Sequence, residues 1–317
     1  MKTFRAFAGL VLCVAVTEHA QAQNMFVANS GAANNILEFT PGGAQSTFAS
    51  GSGGPEGLAF NSGGNLFVAN AVTGNITEIT SGGVQSTFAS GLNVPYGLAF
   101  NSAGELFVAN GAANNIIEIT PGGTQNTFAS GLFDPAGLAF NSAGNLFEAD
   151  MHSGNVYEFT PDGVQSTFAS GLANPWGLAF DSAGNLFVAD EDNGVIGGGG
   201  ISEITPGGVE STFASGLSAP NGLAFNGAGE LFVAEGAAND ILEITPDGTQ
   251  STFTSGLDNP VGLAFQPVPE PSALGLLVVA ATALLVCRRR NNSPIAIIGL
   301  CVAFTGHGLP SPVFKSI

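Results

Sequence analysis

One position in a repeated segment carries the side chains best suited to ligand chemistry. The segment Pro-x-Gly-Leu-Ala-Phe occurs six times, and residue x differs in every copy. In chain order, the x residues are Glu56, Tyr96, Ala136, Trp176, Asn221 and Val261. They include the chain's single tryptophan and one of its two tyrosines. Aromatic faces stack on the C–H faces of a sugar ring, while carboxylate and amide groups bond to its hydroxyls. We therefore expect Glu56, Tyr96, Trp176 and Asn221 to bind a ligand; plain packing is the alternative.

A longer repeat of about 40 residues positions these side chains. Its Leu-Phe or Met-Phe element begins at Met25, Leu66, Leu106, Leu146, Leu186 and Leu231. Each period contains four short β-prone runs, separated by turns rich in Gly, Pro, Asn and Ser. An insert over residues 194–200 lengthens one period. A period of this length built from such runs indicates a propeller or a β-array.

The phase of the repeat predicts a closed ring. The chain enters on the second run of a period at Met25 and leaves on the first run at Phe265. Six copies of each run result, and the last strand, Gly262–Phe265, completes the first blade. Pairing both open edges in this way removes the aggregation hazard of an exposed edge. We predict an all-β, six-bladed β-propeller with four strands per blade over residues 23–266.

The charge distribution excludes several classes of partner. The chain has 24 acidic and 6 basic residues and a formal net charge of −18. The basic residues all lie near the two ends: Lys2, Arg5, Arg288, Arg289, Arg290 and Lys315. The repeat region therefore has no lysine or arginine with which to neutralise nucleic-acid phosphates or to hold a phosphorylated substrate. We expect no nucleic-acid binding.

Residues 174–190, Asn-Pro-Trp-Gly-Leu-Ala-Phe-Asp-Ser-Ala-Gly-Asn-Leu-Phe-Val-Ala-Asp, resemble the NHL repeat. By extension, residues 25–265 resemble the propellers of gluconolactonase-type and streptogramin-lyase-type proteins. The resemblance implies that Pro-x-Gly-Leu-Ala-Phe is the innermost strand and that ligands bind on the face carrying x, at the mouth of the central channel. NHL repeats often have an arginine after the second strand, where this chain has Asn35, Asn115 or Asp240.

A divalent cation at the same mouth is an alternative. The resemblance to gluconolactonase-type enzymes implies that Asn221 could bind a metal, together with Glu56 at the equivalent position. Asp150, Asp190 and Glu235 end second strands and would add oxygen ligands of the kind that Ca²⁺ and Mg²⁺ prefer. The other x residues are apolar or aromatic, which disfavours this alternative.

The N-terminus has the pattern of an export signal. Lys2 and Arg5 precede an apolar run over residues 6–16, and Ala20-Gln21-Ala22 supplies a small-x-small cleavage pattern. We predict a signal peptide over residues 1–22. The apolar run is too short for a typical membrane-spanning helix.

The C-terminus resembles a PEP-CTERM sorting signal over residues 267–290. Pro269, Glu270 and Pro271 precede an apolar run over residues 273–287, and Arg288, Arg289 and Arg290 follow it. We expect a transmembrane helix that anchors the protein transiently in the inner membrane, with the arginines on the cytoplasmic side. The resemblance implies that an exosortase-type machinery then delivers the protein to the cell surface or extracellular matrix. A plain tail anchor is the alternative, and residues 291–317 have no assigned role.

These observations predict an exported, non-catalytic binding or scaffold protein. Its partner would be exopolysaccharide or another extracellular molecule, bound through the channel mouth. A divalent-metal-dependent hydrolase or lactonase and a protein–protein scaffold are the alternatives. His152, the one histidine of the repeat region, has no evident nucleophile and carboxylate around it in the sequence. The candidate cofactor is Ca²⁺ or another divalent cation.

Overall fold

Short runs of β-branched, leucine and phenylalanine residues form strands wherever glycine, asparagine and proline turns interrupt the chain. The computed structural model describes residues 23–191 and 198–267, and the strands within them occupy four positions in each blade. The inner strands are β4 (Pro55–Phe60), β8 (Pro95–Phe100), β12 (Pro135–Phe140), β16 (Pro175–Phe180), β20 (Pro220–Phe225) and β24 (Pro260–Phe265). The second strands are β1 (Met25–Asn29), β5 (Leu66–Asn70), β9 (Leu106–Asn110), β13 (Leu146–Asp150), β17 (Leu186–Asp190) and β21 (Leu231–Glu235). The third strands are β2 (Asn35–Phe39), β6 (Asn75–Ile79), β10 (Asn115–Ile119), β14 (Asn155–Phe159), β18 (Gly199–Ile204) and β22 (Asp240–Ile244). The outer strands are β3 (Gln45–Ser50), β7 (Gln85–Ser90), β11 (Gln125–Ser130), β15 (Gln165–Ser170), β19 (Glu210–Leu217) and β23 (Gln250–Ser255).

Each group of four strands pairs antiparallel as one blade. Blade 1 has the order β24-β1-β2-β3, and blades 2 to 6 are β4–β7, β8–β11, β12–β15, β16–β19 and β20–β23. A short 3₁₀ turn, Gly111–Ala113, links β9 to β10. We call the end of the blades at which the inner strands begin and the second strands end the mouth face. The predicted six-bladed propeller with four strands per blade is confirmed.

The last strand closes the ring as predicted. In β24, Phe265 lies opposite Met25 and Leu263 opposite Val27, so both ends of the described chain share one sheet. The backbone N–H of Gln266 donates to the carbonyl of Asn24 at 2.9 Å, which extends the closure beyond the strands.

Phenylalanines join each blade to the next. In blade 1, the second-strand residue Phe26 packs edge-to-face on Phe48 of its own outer strand and on Phe60 of the next inner strand, with ring centroids 4.9 and 5.1 Å away. The same trio recurs at every blade boundary, including the one that Phe232 and Phe265 make across the closure. Each aromatic pair adds about 0.5–1.5 kcal/mol beyond simple burial. These trios account for much of the chain's high phenylalanine content.

The third-strand glutamates hold turns in four blades. Asn24, Asn65, Asn145 and Asn185 precede second strands, and each donates its side-chain N–H to the glutamate opposite. In the other two blades the asparagine is replaced by Glu105 or Glu230. Burial and these neighbours raise the pKa of Glu118 and Glu243, respectively. Because the third-strand glutamate recurs in every blade and bonds to the preceding turn in four of them, its role is structural.

One buried side chain breaks the pattern of the core. Glu148 occupies the middle of β13, where the equivalent residues are Val27, Val68, Val108, Val188 and Val233. It is 0% exposed, and neither carboxylate oxygen has a hydrogen-bond partner among the described residues. Burial, and secondarily the charge of Asp150, raises the pKa of Glu148 well above its usual range. Folding therefore favours the protonated form of this carboxyl group.

Candidate functional site

A ring of glycines lets the six inner strands meet around the axis. A Cβ on Gly97 would overlap the carbonyl oxygen of Ala136 in the next blade, and a Cβ on Gly137 would overlap that of Trp176. The equivalent glycines of the other blades show the same close approach, and Gly262 completes the circle against Glu56. The glycine after x is thus required by the fold, because any side chain there would collide with the neighbouring backbone.

Each inner strand also carries a β-bulge at x and glycine. In blade 4, Pro135 lies opposite Asp150 and Leu138 opposite Glu148, so the inner strand has one residue more than its partner across this stretch. The same shift in register occurs in the other five blades. A bulge redirects the side chains next to it. The direction of each x side chain therefore cannot be read from strand alternation.

Leucines narrow the channel below the mouth. Each inner strand contributes one leucine to the lining: Leu58, Leu98, Leu138, Leu178, Leu223 and Leu263. The free volume of the opening is about 80 Å³, whereas small-molecule pockets usually enclose roughly 300–1,000 Å³. The cavity has room for a few water molecules but not for a sugar ring. A larger ligand would have to lie across the opening.

Two aromatic rings meet at this opening. The ring centroids of Tyr96 in blade 3 and Trp176 in blade 5 are 5.1 Å apart, with an interplanar angle of 57°. The x residue between them, Ala136 of blade 4, is only 1% exposed. Because Ala136 is small, the two rings reach over it and touch. Both rings remain partly exposed and line the cavity.

Glu56 lines the same cavity and is largely shielded from solvent. The Ser30 hydroxyl donates to Glu56 Oε1 at 2.9 Å. Burial raises the pKa of Glu56 to about 7, with the Ser30 hydrogen bond opposing that rise. The carboxyl group can thus change charge near neutral pH.

Acidic groups also flank Tyr96. A Cβ on Gly111 would overlap the edge of the Tyr96 ring and would lie 2.8 Å from Asp134 Oδ1, so the ring and this carboxylate are neighbours. Burial, followed by the charges of Asp134 and Glu56, raises the pKa of Tyr96 to about 12. The phenol therefore stays protonated and can donate a hydrogen bond at neutral pH.

The sequence alone did not indicate the polar pair that His152 and Asp134 form next to Tyr96. His152 Nδ1 lies 3.3 Å from Asp134 Oδ2, and the exposed ring of Phe133 lies over His152 with centroids 4.9 Å apart. The sequence left His152 without a partner because Asp134 belongs to the loop before β12, eighteen residues earlier. In the sequence, blade 4 differs from the other blades at positions 133, 148 and 152 together, and this difference could have indicated the pair.

Asn221 does not join Glu56, Tyr96 and Trp176 in the cavity lining. It is 6% exposed, and its amide nitrogen lies 2.6 Å from where a Cβ of Gly236 would be. Asn259 Oδ1 borders the same glycine. The side chain of Asn221 thus lies against the second strand of its own blade and the adjacent loop.

Asp150, Asp190 and Glu235 hold loops within their own blades. Asp150 Oδ2 accepts the N–H of Phe133 at 2.7 Å, Asp190 accepts the N–H groups of residues 173 and 174, and Glu235 accepts that of Ser218 at 2.6 Å. Asn29 and Asn110 make the equivalent bond in other blades. At this position an asparagine amide oxygen accepts a loop N–H just as a carboxylate oxygen does. The role of the position is therefore structural.

Four of the five residues predicted to hold a divalent cation are carboxylates, and they do not take part in a metal-ligating cluster in the described part of the chain. Within residues 23–191 and 198–267, no group of three or more His, Cys, Asp or Glu side chains is arranged to hold a metal. Glu235 has another acidic neighbour, Asp240. Burial raises the pKa of Glu235 to about 7, the Ser218 N–H opposes this, and Asp240 adds to it.

The predicted export and sorting residues lie outside the described residues. This applies to residues 1–22, to Pro269, Glu270 and Pro271, and to Arg288, Arg289 and Arg290. Among the residues that are described, there is no helix of sufficient length and apolarity to cross a membrane.

Comparisons with known proteins agree with the fold. Residues 172–196 match the NHL repeat, and no curated protein matches the chain significantly. A streptogramin B lyase structure is similar over 79% of this chain and 92% of its own, with 17% identity and a TM-score of 0.61. A chain of a nidogen–laminin complex is similar over 78% and 99%, with 19% identity and a TM-score of 0.69. A gluconolactonase-like protein is similar over 68% and 82%, with 18% identity and a TM-score of 0.59. At such identities the likeness concerns the fold alone.

Proposed function

We propose that this propeller is a non-catalytic binding protein whose mouth face holds an extracellular polysaccharide. The observation that carries the proposal is the contact between Tyr96 and Trp176 at the axial opening. These rings occupy the one position of the inner-strand segment that the repeats leave variable. Partly exposed aromatic faces of this kind bind the C–H faces of sugar rings.

The shape of the opening favours a polymer that lies across it. The leucines and glycines of the inner strands leave only about 80 Å³ of free volume below the rings, which is less than a small-molecule pocket requires. A chain of sugars could rest on Trp176 and Tyr96 without entering the channel. The Tyr96 hydroxyl and the Glu56 carboxyl group would then bond to sugar hydroxyls.

Replacing the tryptophan tests this function. Trp176→Ala should reduce retention on polysaccharide extracted from the producing cells by about tenfold or more, because central aromatic residues dominate such interfaces. Val72→Ala is the matched control, since Val72 is an apolar residue of the mouth face that is 83% exposed and lies outside the cavity lining. Equal retention of both variants would contradict the proposal. It would favour a protein–protein scaffold, which tolerates the loss of Trp176 and Tyr96.

Glu56 supports a second candidate, a divalent-metal-dependent hydrolase or lactonase. Its carboxyl group lines the opening and has a pKa of about 7, which suits proton transfer near neutral pH. The ion would need Asn221 to turn from Gly236 towards the channel. Hydrolysis of simple lactones in the presence of Ca²⁺, Mg²⁺ or Mn²⁺, lost in Glu56→Gln, would favour this enzyme over the binding protein.

We also propose that residues 1–22 direct export and that residues 267–290 sort the protein to the cell surface or matrix. The apolar run 273–287 would anchor it transiently in the inner membrane before an exosortase-type enzyme cuts near Pro269–Pro271. Glu270→Ala should leave an uncleaved precursor in the inner-membrane fraction. A distribution identical to that of the wild type would contradict the sorting proposal.

A further inference from the structure

The charge of the propeller restricts which polysaccharide it can hold. Residues 23–267 contain 22 of the chain's 24 acidic residues and neither lysine nor arginine. A polymer rich in uronate, sulfate or phosphate groups would be repelled over the whole surface, with no basic side chain to offset the repulsion locally. The ligand must therefore be neutral or positively charged.

The side chains around the opening favour a positively charged ligand over a neutral one. Glu56 lies in the cavity lining, and the Asp134 carboxylate lies beside the edge of the Tyr96 ring. The partners that the structure gives to these carboxylates are the Ser30 hydroxyl for Glu56 and, for Asp134, His152, which is itself exposed. Neither carboxylate has a permanently charged basic partner among the described residues. A protonated amine of the ligand would supply that missing charge.

The aromatic rings favour the same chemical group. A cation over the face of tryptophan or tyrosine is attracted by the ring's negative face. Tyr96 lines this opening together with Glu56, and its ring edge lies beside the Asp134 carboxylate. One amine could thus contact an aromatic face and a carboxylate at once.

We propose that the polysaccharide bound at the opening carries free, unacetylated amino groups, as a glucosamine-containing polymer does. This inference rests on the proposed function and adds the charge of the ligand to it. The aromatic pair would hold the sugar faces, and Glu56 and Asp134 would select the amine over its acetylated form.

Calorimetric titration with three defined tetrasaccharides tests the inference at pH 7, where a Glu56 carboxyl group with a pKa of about 7 is partly ionised. The probes are tetramers of β-1,4-linked glucosamine, of N-acetylglucosamine and of galacturonic acid. We expect the glucosamine tetramer to bind about tenfold more tightly than its acetylated form, which corresponds to one charge-assisted hydrogen bond. We expect no measurable binding of the galacturonic acid tetramer.

Two double variants identify where the preference arises. In Glu56→Gln/Asp134→Asn, the glucosamine tetramer should lose its advantage over the acetylated tetramer. In Asp162→Asn/Glu210→Gln, which removes the same charge from exposed positions on a turn and an outer strand, the advantage should remain. An equal loss in both variants would mean that only the overall charge matters and would overturn the inference.

The remaining outcomes distinguish the inference from the function on which it rests. If wild-type protein binds acetylated and free tetramers equally and Trp176→Ala binds neither, the polysaccharide function stands and the amine preference is wrong. If a lysine tetramer binds as tightly as the glucosamine tetramer, the assignment to a glycan is overturned. If no tetrasaccharide binds and Trp176→Ala is retained normally on the cells' own polysaccharide, the proposed function itself fails.

Discussion

Replacing Glu148 with valine should stabilise the propeller. The substitution introduces the residue that the other five blades have at this position. The cores of those five blades accommodate a valine there, and we expect the core of blade 4 to do the same. Neither oxygen of Glu148 has a hydrogen-bond partner among the described residues. Such an unsatisfied buried group costs about 1–3 kcal/mol. Glu148→Val removes that cost at every pH.

A second contribution depends on pH. The unfolded chain releases the Glu148 proton above its ordinary pKa of 4.5, whereas the folded protein retains it because its pKa is raised. Each pH unit above that value therefore lowers the free energy of unfolding by about 1.4 kcal/mol, as long as the folded protein keeps the proton. The free energy of unfolding should therefore be lower at pH 7 than at pH 5. The advantage of Glu148→Val should grow by the same amount over this interval.

Urea denaturation at pH 5 and pH 7, followed by circular dichroism, measures both contributions. Glu148→Gln is the control, because glutamine keeps polar atoms in the core but has no proton to release. It should abolish the pH-dependent part of the difference while retaining the unsatisfied polar group. A Glu148→Val protein that is less stable than the wild type, or whose advantage is the same at both pH values, would contradict an unsatisfied, protonated carboxyl group in the core.

Three further expectations follow from the channel, the loops and the acidic groups. Gly137→Ala should destabilise the propeller by about 3 kcal/mol or more, because a Cβ there would overlap the next blade's backbone. Gly122→Ala, in an open turn, should change stability by less than about 0.5 kcal/mol; similar urea midpoints for both would contradict the close-approach argument. Asp150→Ala should cost about 1–3 kcal/mol by removing the acceptor of two loop N–H groups, while Asp150→Asn should cost less; the reverse order would argue against a structural role. Since the raised pKa values of about 7 at Glu56 and Glu235 make folding favour the protonated forms, the melting temperature should fall as the pH rises from 5 to 7.5; a rise would contradict the pKa shifts.

The architecture could be predicted from the sequence because the same pattern of strand and turn residues recurs in every blade. The out-of-phase start at Met25 and end at Phe265 already required β24 to complete blade 1, and the register confirms this pairing. The phenylalanine trios could not be read from a single period, since Phe26 meets Phe60 only across a blade boundary.

The candidate site was less predictable because the β-bulge at x and glycine decides where each side chain points. Position along the strand identified Tyr96 and Trp176, but not that the small Ala136 lets them touch. The same position placed Asn221 with them, whereas it lies against Gly236. Hydrogen bonds to loop N–H groups explain Asp150, as they do the amides of other blades, and such local bonds have no distinctive sequence pattern.

Trp176 fluorescence measures binding at the opening most directly, because Trp176 is the chain's single tryptophan and lies in the cavity lining. Titration with polysaccharide from the producing cells should change its emission in a saturable manner, and the change should be weakened by Tyr96→Ala. Polysaccharide that binds the propeller while leaving the Trp176 emission unaltered would contradict a site at the channel mouth.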